Sequence, residues 1–330
     1  MKILLSRAPG PAATLDLAEI PEPLPGPGEA RIAVRACALN YPDALIIADR
    51  YQVRPPRPFA PGAEVAGVVD AVGKGVTTLR VGERVIAMPG FGGLAEELVA
   101  PATRCIPIPD ATPFDEAAAL MMTFGTALYG LKHRGGVAPR ERLLVLGAAG
   151  GVGMAAVQVG KALGAEVLAA VSSEAKAAEA LAAGADRTLV YPRGPFDSDG
   201  RRALSALVKG VAADGLDVVF DPVGGDYAEA ALRSLRWGGR LLVVGFTAGI
   251  PQMPLNLVLL KSCQVVGVAW GAVAREHPAL FAEVAAEVVA LHAAGAIRPR
   301  ITERIPLDHA AAAIARLAAR EAVGKSVVVF

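Results

Sequence analysis

The sequence predicts an α/β protein in which a β-rich segment precedes a doubly wound parallel sheet. Its opening third is rich in proline, glycine and β-branched residues, whereas strands and helices alternate from about Asp115 onward. A glycine-rich turn at 147–153 follows a strand and opens a helix, which is the context of a nucleotide-binding turn. These observations predict two domains, and a length of 330 residues is sufficient for both.

Short apolar runs between Pro/Gly turns predict the strands of the β-rich module, which are 30–36, 65–72, 83–87 and 95–100. Over 115–131 the spacing of apolar residues is that of a helix. The strands that follow are 142–146, 166–171, 188–191, 216–220, 240–244 and 264–269. The helices between them are 152–163, 174–183, 201–209, 227–235 and 255–261. Because a helix lies in each connection, we expect a parallel sheet with helices on both faces.

The chain continues with helices at 278–294 and 308–319 and finishes with a strand at 326–330. This last strand has no predicted neighbour in the α/β domain. We therefore expect it to return to the β-rich module.

Composition excludes several classes of protein. Lys and Arg number 33 against 32 for Asp and Glu, so no global charge recruits nucleic acid or an anionic membrane. Hydrophobic residues make up 53% of the chain, which excludes a disordered protein. The uncharged run 143–160 is interrupted by glycines, and the apolar run at the N-terminus is shorter than a signal-peptide core.

Three scattered cysteines, Cys37, Cys105 and Cys263, are too few for a disulfide framework or a cysteine-built zinc site. We therefore predict a reducing, cytoplasmic location.

The turn at 147–153 has the residues that a dinucleotide pyrophosphate needs. Glycines let the backbone approach the phosphates, and the N–H groups and dipole of the following helix favour negative charge. Ala148 stands where the usual motif has its first glycine, and the alternative is an ordinary tight turn. The alternating strands and helices that follow favour a nucleotide site.

The second strand of the α/β domain indicates which nucleotide binds. An NAD site usually places an acid about 20 residues after the turn, but Ser172 and Ser173 stand there instead. With Lys176 they could hold the 2′-phosphate of NADPH through charge-assisted hydrogen bonds. Alternatively Ser173 caps the next helix and Lys176 is a solvated residue, or each does both. We predict NADPH.

Motifs along nearly the whole chain resemble the quinone oxidoreductase and zeta-crystallin branch of the medium-chain dehydrogenase/reductase superfamily. The central motif is Leu144-x-x-x-Ala148-Ala149-Gly150-Gly151-x-Gly153, continued by Gln158 and Lys161. Further likenesses are at 38–43, 61–67, 82–85, 126–128, 220–224, 245–246 and 324–327. Arg140 departs from the signature in a surface turn.

The resemblance implies a GroES-like β-rich catalytic domain and a Rossmann domain. The implied boundaries are 1–122 for the first part of the catalytic domain, 123–262 for the NADPH domain and 263–330 for the C-terminal return. Within that return, 263–270 is implied to be the edge strand of the Rossmann sheet, and this strand implies a homodimer. Zinc-dependent relatives carry a cysteine near Asn40 and a histidine at Ala63, and neither ligand is present here, so the resemblance implies that no metal is bound.

The resemblance also implies the site residues. Asn40 and Tyr41 correspond to residues at the nicotinamide end of the cleft, Tyr51 resembles a pocket tyrosine, and Asp43 and Glu64 are expected to be structural. The residues implied to bind the cofactor, besides Ser172, Ser173 and Lys176, are Thr126, Ala149, Gly150, Gly151, Val152, Gly153, Tyr191, Val223, Gly245, Phe246, Val268, Ala269, Trp270, Arg320 and Lys325.

Without a metal to polarise a simple ketone, the expected substrates are quinones or α,β-unsaturated carbonyl compounds. One alternative is an enoyl-CoA, acryloyl-CoA or haloacrylate-type reductase, and another is a protein that binds NADPH without turnover. Arg50, Arg54 and Arg57 lie on one proline-rich loop and could attract an anionic substrate such as an acyl-CoA. The loop could equally be a solvated connection.

Overall fold

The computed structural model describes residues 1–212 and 214–330, which group into two compact units. The first unit contains Met1–Met122, Val273–Ala294 and Arg298–Phe330, and the second contains Thr123–Ala272 and Gly295–Ile297. The chain thus leaves the first unit where the sequence analysis placed the boundary. It returns at Val273, after the strand within 263–270, which pairs in the second unit as the edge strand that the sequence analysis placed there.

The strands of the described residues are β1 (Lys2–Leu5), β2 (Asp16–Glu19), β3 (Glu29–Ala38), β4 (Glu64–Val72), β5 (Arg84–Ala87), β6 (Glu97–Pro101), β7 (Cys105–Pro107), β8 (Arg142–Leu146), β9 (Glu166–Val171), β10 (Arg187–Val190), β11 (Leu216–Asp221), β12 (Leu235–Val243), β13 (Gln264–Gly267), β14 (Ile301–Ile305) and β15 (Lys325–Val329). The α-helices are α1 (Tyr41–Ile47), α2 (Phe114–Ala118), α3 (Thr126–Leu128), α4 (Gly151–Ala162), α5 (Glu174–Ala182), α6 (Ser198–Val211), α7 (Asp226–Ser234), α8 (Leu255–Leu260), α9 (Trp270–Glu276), α10 (Pro278–Ala293) and α11 (Ala310–Ala318).

The first unit is built around β3. Across the described residues its main sheet has the order β14-β15-β3-β4-β5-β7, and β6 pairs with β3 as well. Alternate residues of β3, such as Ile32 and Val34, are buried in the core of this unit, as a strand with one apolar face requires. Val327 of β15 pairs with Ala38 of β3, which confirms that the last strand returns to the β-rich module.

The second unit contains a parallel sheet. In the part of the chain that the structure describes, its strand order is β10-β9-β8-β11-β12-β13, which is the doubly wound order of nucleotide-binding folds. The middle strands are almost wholly apolar, since helices cover both faces of such a sheet. Residues Leu143 to Leu146 of β8 and Val218 to Phe220 of β11 are all buried.

The region predicted as one helix over 115–131 is interrupted. Only α2 and α3 are α-helical, and π-helical turns occupy Met121–Gly125 and Tyr129–Arg134. A Cβ atom on Gly125 would lie 2.7 Å from Cε2 of Trp270, so only glycine allows the indole to approach this backbone. The spacing of apolar residues along the sequence gives no sign of this contact between Trp270 and Gly125.

The helix α1 was not predicted. It has seven residues, which is too short for a clear period, and Pro42 occupies its first turn.

Within the described residues, no helix has both the length and the apolar character needed to cross a bilayer.

Candidate active site

The register of β3 brings together polar residues that are far apart in the sequence. Ala38 lies opposite Glu64 on β4 and opposite Val327 on β15. In an antiparallel pair, the residue two beyond Ala38 faces the residue two before Val327. Asn40 therefore faces Lys325, and Glu64 lies beside both.

Four buried residues, Asn40, Asp43, Glu64 and Lys325, form what we call the Lys325 cluster. The ammonium of Lys325 donates to the carbonyl oxygen of Leu39 at 3.0 Å and to Oδ1 of Asn40 at 2.7 Å. Its third partner is Oε1 of Glu64, at 3.2 Å. An ammonium has three N–H donors, so every donor of Lys325 has a protein acceptor.

The acidic members of the cluster accept hydrogen bonds from backbone N–H groups. Asp43 accepts from Asn40 at 2.7 Å and from Gly62 at 2.9 Å, while Glu64 accepts from Met122 at 2.8 Å. Burial raises the pKa of Asp43 to about 6, although these hydrogen bonds oppose the rise. This geometry agrees with the expectation that Asp43 and Glu64 are structural.

Two tyrosines lie close to the cluster within the first unit. Tyr41 is the first residue of α1 and is half-buried. Tyr51 is also half-buried and packs against the core of this unit. Burial raises the pKa of the Tyr51 phenol and the negative charge of Asp43 raises it further, so this phenol stays protonated at neutral pH.

The structure separates the three arginines of the proline-rich loop. Arg57 is largely buried, with 16% of its side chain exposed, and it forms an ion pair of 2.8 Å with Asp49. It also donates to the carbonyl oxygen of Ile47 at 2.9 Å. Arg50 and Arg54 are exposed. Arg57 is therefore a structural residue, and only Arg50 and Arg54 remain candidates for attracting an anionic substrate.

In the second unit, the glycine turn joins β8 to α4. The helix begins after Gly150, which offers no side chain to cap the first N–H groups. A Cβ atom on Gly153 would overlap the carbonyl oxygen of Gly147, so the turn packs closely on its helix. These residues fit a dinucleotide pyrophosphate, because the uncapped N–H groups and the bare backbone of Gly150 are available to an anion.

Ser173 and Lys176 lie at the start of α5, after β9. Ser173 is the N-cap of this helix, and its Oγ accepts from the N–H of Lys176 at 3.4 Å. Partial burial, together with the positive charge of Arg193, lowers the pKa of the Lys176 ammonium. Arg193 thus lies close enough to Lys176 for its charge to act on that ammonium, and sequence reasoning identified only Lys176. The missed signal is that Arg193 lies two residues beyond Tyr191.

Tyr191 and Asp221 stand at the carboxyl ends of two strands of the parallel sheet. Tyr191 directly follows β10, is buried, and has its phenol near the backbone of Gly147. Burial raises its pKa to about 12. Asp221 ends β11, and its Oδ1 accepts from the N–H groups of Val223 and Gly224, both at 2.8 Å. Sequence reasoning did not select Asp221.

Other predicted cofactor residues lie at the same end of the parallel strands as the glycine turn. Gly245 and Phe246 follow β12, and Val268, Ala269 and Trp270 follow β13. Phe246 is 44% exposed, whereas Trp270 is buried against Gly125, the residue before Thr126. Their roles in cofactor binding stay predictions.

The prediction that Lys325 binds a cofactor phosphate is wrong. Its side chain is 6% exposed and all three of its donors have protein acceptors, the Leu39 carbonyl, Asn40 and Glu64, so none is left for a phosphate. Arg320, at the end of α11, is exposed and stays a prediction.

Among residues 1–212 and 214–330, no group of three His, Cys, Asp or Glu side chains is placed to hold a metal ion.

Two family models and a known protein are similar to this chain. The model of the alcohol dehydrogenase GroES-like domain matches residues 26–110, and that of the zinc-binding dehydrogenase family matches residues 151–288. Quinone oxidoreductase-like protein 2 of Bos taurus is 37% identical over 301 residues, which cover 91% of this chain and 84% of that protein.

Solved structures agree with this likeness. The quinone oxidoreductase from Thermus thermophilus, solved alone and with NADPH, is 33% identical with a TM-score of 0.85, and the match covers 100% of both chains. A mycobacterial structure solved with NADPH is 31% identical with a TM-score of 0.91, and it also covers 100% of both chains.

A GroES-like unit and a doubly wound nucleotide-binding unit in one chain define a class of nucleotide-dependent oxidoreductases. The chain belongs to the medium-chain dehydrogenase/reductase superfamily, in its quinone oxidoreductase-like branch. This confirms the resemblance that the sequence motifs indicated.

Proposed function

We propose that the protein is a zinc-independent reductase that uses NADPH to reduce quinones or α,β-unsaturated carbonyl compounds. The observation that carries this proposal is the pairing of an uncapped glycine turn with Ser172, Lys176 and Arg193, where an NAD site would have an acid. The quinone oxidoreductases among the relatives, one of them solved with NADPH, support the same chemistry.

Each group of residues has a part in this reaction. The N–H groups at the start of α4 bind the pyrophosphate, and Ser172 with Lys176 binds the 2′-phosphate. NADPH supplies a hydride when it is bound. Tyr41 and Tyr51 are the predicted donors of hydrogen bonds to the substrate oxygen on which negative charge develops. Zinc independence is proposed from the residue types at Asn40 and Ala63, which are not zinc ligands.

The experiment is NADPH oxidation at 340 nm with 1,4-benzoquinone, 9,10-phenanthrenequinone, methyl vinyl ketone and acryloyl-CoA. We expect turnover with a quinone or with the enone, and the same rate after dialysis against a chelator. Tight NADPH binding without turnover of any of the four would instead identify a protein that only carries the nucleotide. Activity restored only by added zinc would overturn zinc independence.

Cofactor preference tests the 2′-phosphate site. Lys176→Glu places a negative charge where the 2′-phosphate should bind, so we expect kcat/KM for NADPH to fall by about 10-fold or more, with little change for NADH. Lys209→Glu, on the exposed side of α6, is the matched control. Equal use of NADPH and NADH by the unmodified protein would contradict the assignment.

We also propose that the protein is a homodimer. The strand β13 is the edge of the parallel sheet, with Val265 43% exposed. Leu255, Leu259 and Leu260 of the preceding helix are exposed as well. An uncovered apolar edge strand favours pairing with a second copy.

A further inference from the structure

Lys325 holds the amide of Asn40 in one orientation. Oδ1 of Asn40 lies 2.7 Å from the ammonium, while Nδ2 donates to the carbonyl oxygen of Ala38 at 3.2 Å and to Oε1 of Glu64 at 2.9 Å. A rotated amide would direct its N–H groups at the ammonium and its oxygen at two acceptors. The lysine therefore favours, together with the Ala38 carbonyl and Glu64, one orientation of this side chain.

The same ammonium also holds the backbone that leads into α1. It donates to the carbonyl oxygen of Leu39, and the N–H of Asn40 donates to Asp43 one turn further on. Tyr41 follows directly, as the first residue of the helix. Residues 39–41 are thus connected to β15 through this side chain and through the N–H of Leu39, which donates to the carbonyl oxygen of Ser326 at 3.0 Å.

The ammonium has an electrostatic role that is separate from this hydrogen bonding. The groups that face Glu64 are Lys325 from β15, Asp43 from α1 and Cys37 from β3. Lys325 is the positive charge of this set. Removing one partner of a buried ion pair leaves an uncompensated charge and destabilises a protein strongly. A test of positioning must therefore separate turnover from stability.

We propose that Lys325 is a positioning residue for the reduction: its buried ammonium holds the Asn40 amide and the backbone of Leu39, and so fixes the start of α1, where Tyr41 meets the substrate in one arrangement. The proposal rests on the proposed function, because it concerns how residues that are expected to contact the substrate are positioned. It replaces the phosphate-binding role that the sequence suggested for this lysine.

The test uses three variants, Lys325→Met, Glu64→Gln and the double variant, with Lys209→Met as a control at an exposed lysine of α6. For each protein we would measure the melting temperature, the Kd for NADPH, and kcat and KM with 9,10-phenanthrenequinone. Lys325→Met removes the charge and the donors and keeps an unbranched chain. The double variant also removes the uncompensated carboxylate, and the amide introduced at Glu64 permits either orientation of Asn40.

We expect Lys325→Met to lower both the melting temperature and kcat. The double variant should recover the melting temperature of Glu64→Gln, while its kcat stays about 10–100-fold lower than that of Glu64→Gln. The Kd for NADPH should change by less than about twofold, and Lys209→Met should match the unmodified protein. If Lys325→Met does not fold, the double variant still gives the comparison.

Recovery of both melting temperature and kcat in the double variant would overturn the proposal, because Lys325 would then only balance charge. Full kcat in Lys325→Met would overturn it as well. An unmodified protein that reduces none of the quinones or enones would overturn the proposed function itself. That outcome is visible before any variant is compared.

Discussion

Asp221 illustrates how one buried carboxyl makes stability depend on pH. Burial raises its pKa from the usual 3.8 to about 6, despite the two backbone hydrogen bonds that it accepts. A raised pKa means that the folded state binds the proton more tightly than the unfolded state does. The stability that this proton contributes is complete below about pH 4, and it is lost as the pH rises through about 6.

Asp221→Asn should remove this pH dependence. Both hydrogen bonds go to Oδ1, so an amide oxygen can accept them unchanged. We expect the variant to gain stability relative to the unmodified protein as the pH rises from 4 to 7, by on the order of 2 kcal/mol. Melting temperatures across that range would measure it, and parallel curves for the two proteins would contradict the assignment. Asp43 titrates in both proteins, so its contribution cancels.

The proline-rich loop that carries Arg50, Arg54 and Arg57 is the basis of a second prediction at the scale of single residues. Arg57→Ala removes a partly buried ion pair and a hydrogen bond to a carbonyl, so we expect a loss of about 1–2 kcal/mol of stability. Arg50→Ala and Arg54→Ala should leave the melting temperature unchanged and lower kcat/KM for acryloyl-CoA but not for benzoquinone. An equal response of both substrates would show that the loop does not attract an anionic substrate.

The glycine turn makes a prediction at the scale of one element, because its glycines serve different purposes. A Cβ atom on Gly150 would lie 3.4 Å from the carbonyl oxygen of Gly147, whereas on Gly153 it would overlap that oxygen. Gly150→Ala should therefore fold normally and raise the Kd for NADPH by about 10-fold, since the new methyl group faces the expected phosphate. Gly153→Ala should both raise the Kd for NADPH and lower the melting temperature, the latter by several degrees.

Fluorescence titration with NADPH and thermal melting would separate these two effects. A variant at Gly150 that binds NADPH normally would show that the phosphate lies elsewhere.

Local elements could be predicted from the sequence, and contacts set by distant strands could not. The glycine turn is contiguous, so the sequence alone identifies its residues, its strand and its helix. The role of Lys325 depends on the register of β15 against β3, which joins residues almost 300 positions apart. The strand itself was predicted, but its register was not, and a lysine at a strand start looks like a solvated residue.

At the scale of the whole molecule, the most predictable property was the order of strands and helices along the chain. Strands that alternate with helices permit few arrangements, so the parallel sheet and the return of the last strand both followed from the sequence. The sequence analysis also assigned 263–270 to the edge of the parallel sheet, and β13 pairs there with β12. The re-entry into the first unit at Val273 lies within α9, where no proline- or glycine-rich linker marks it in the sequence.

The exposed edge of β13 carries the last prediction, which concerns assembly. If two copies pair along this edge, Val265→Lys places a charge in the interface, and we expect the protein to change from dimer to monomer in sedimentation velocity. Val81→Lys is the matched control, because Val81 is 63% exposed and belongs to the first unit, not to the parallel sheet. The melting temperature of the monomer should fall and should no longer depend on protein concentration. A Val265→Lys protein that still sediments as a dimer would place the interface elsewhere, and an unmodified protein that sediments as a monomer would overturn the homodimer.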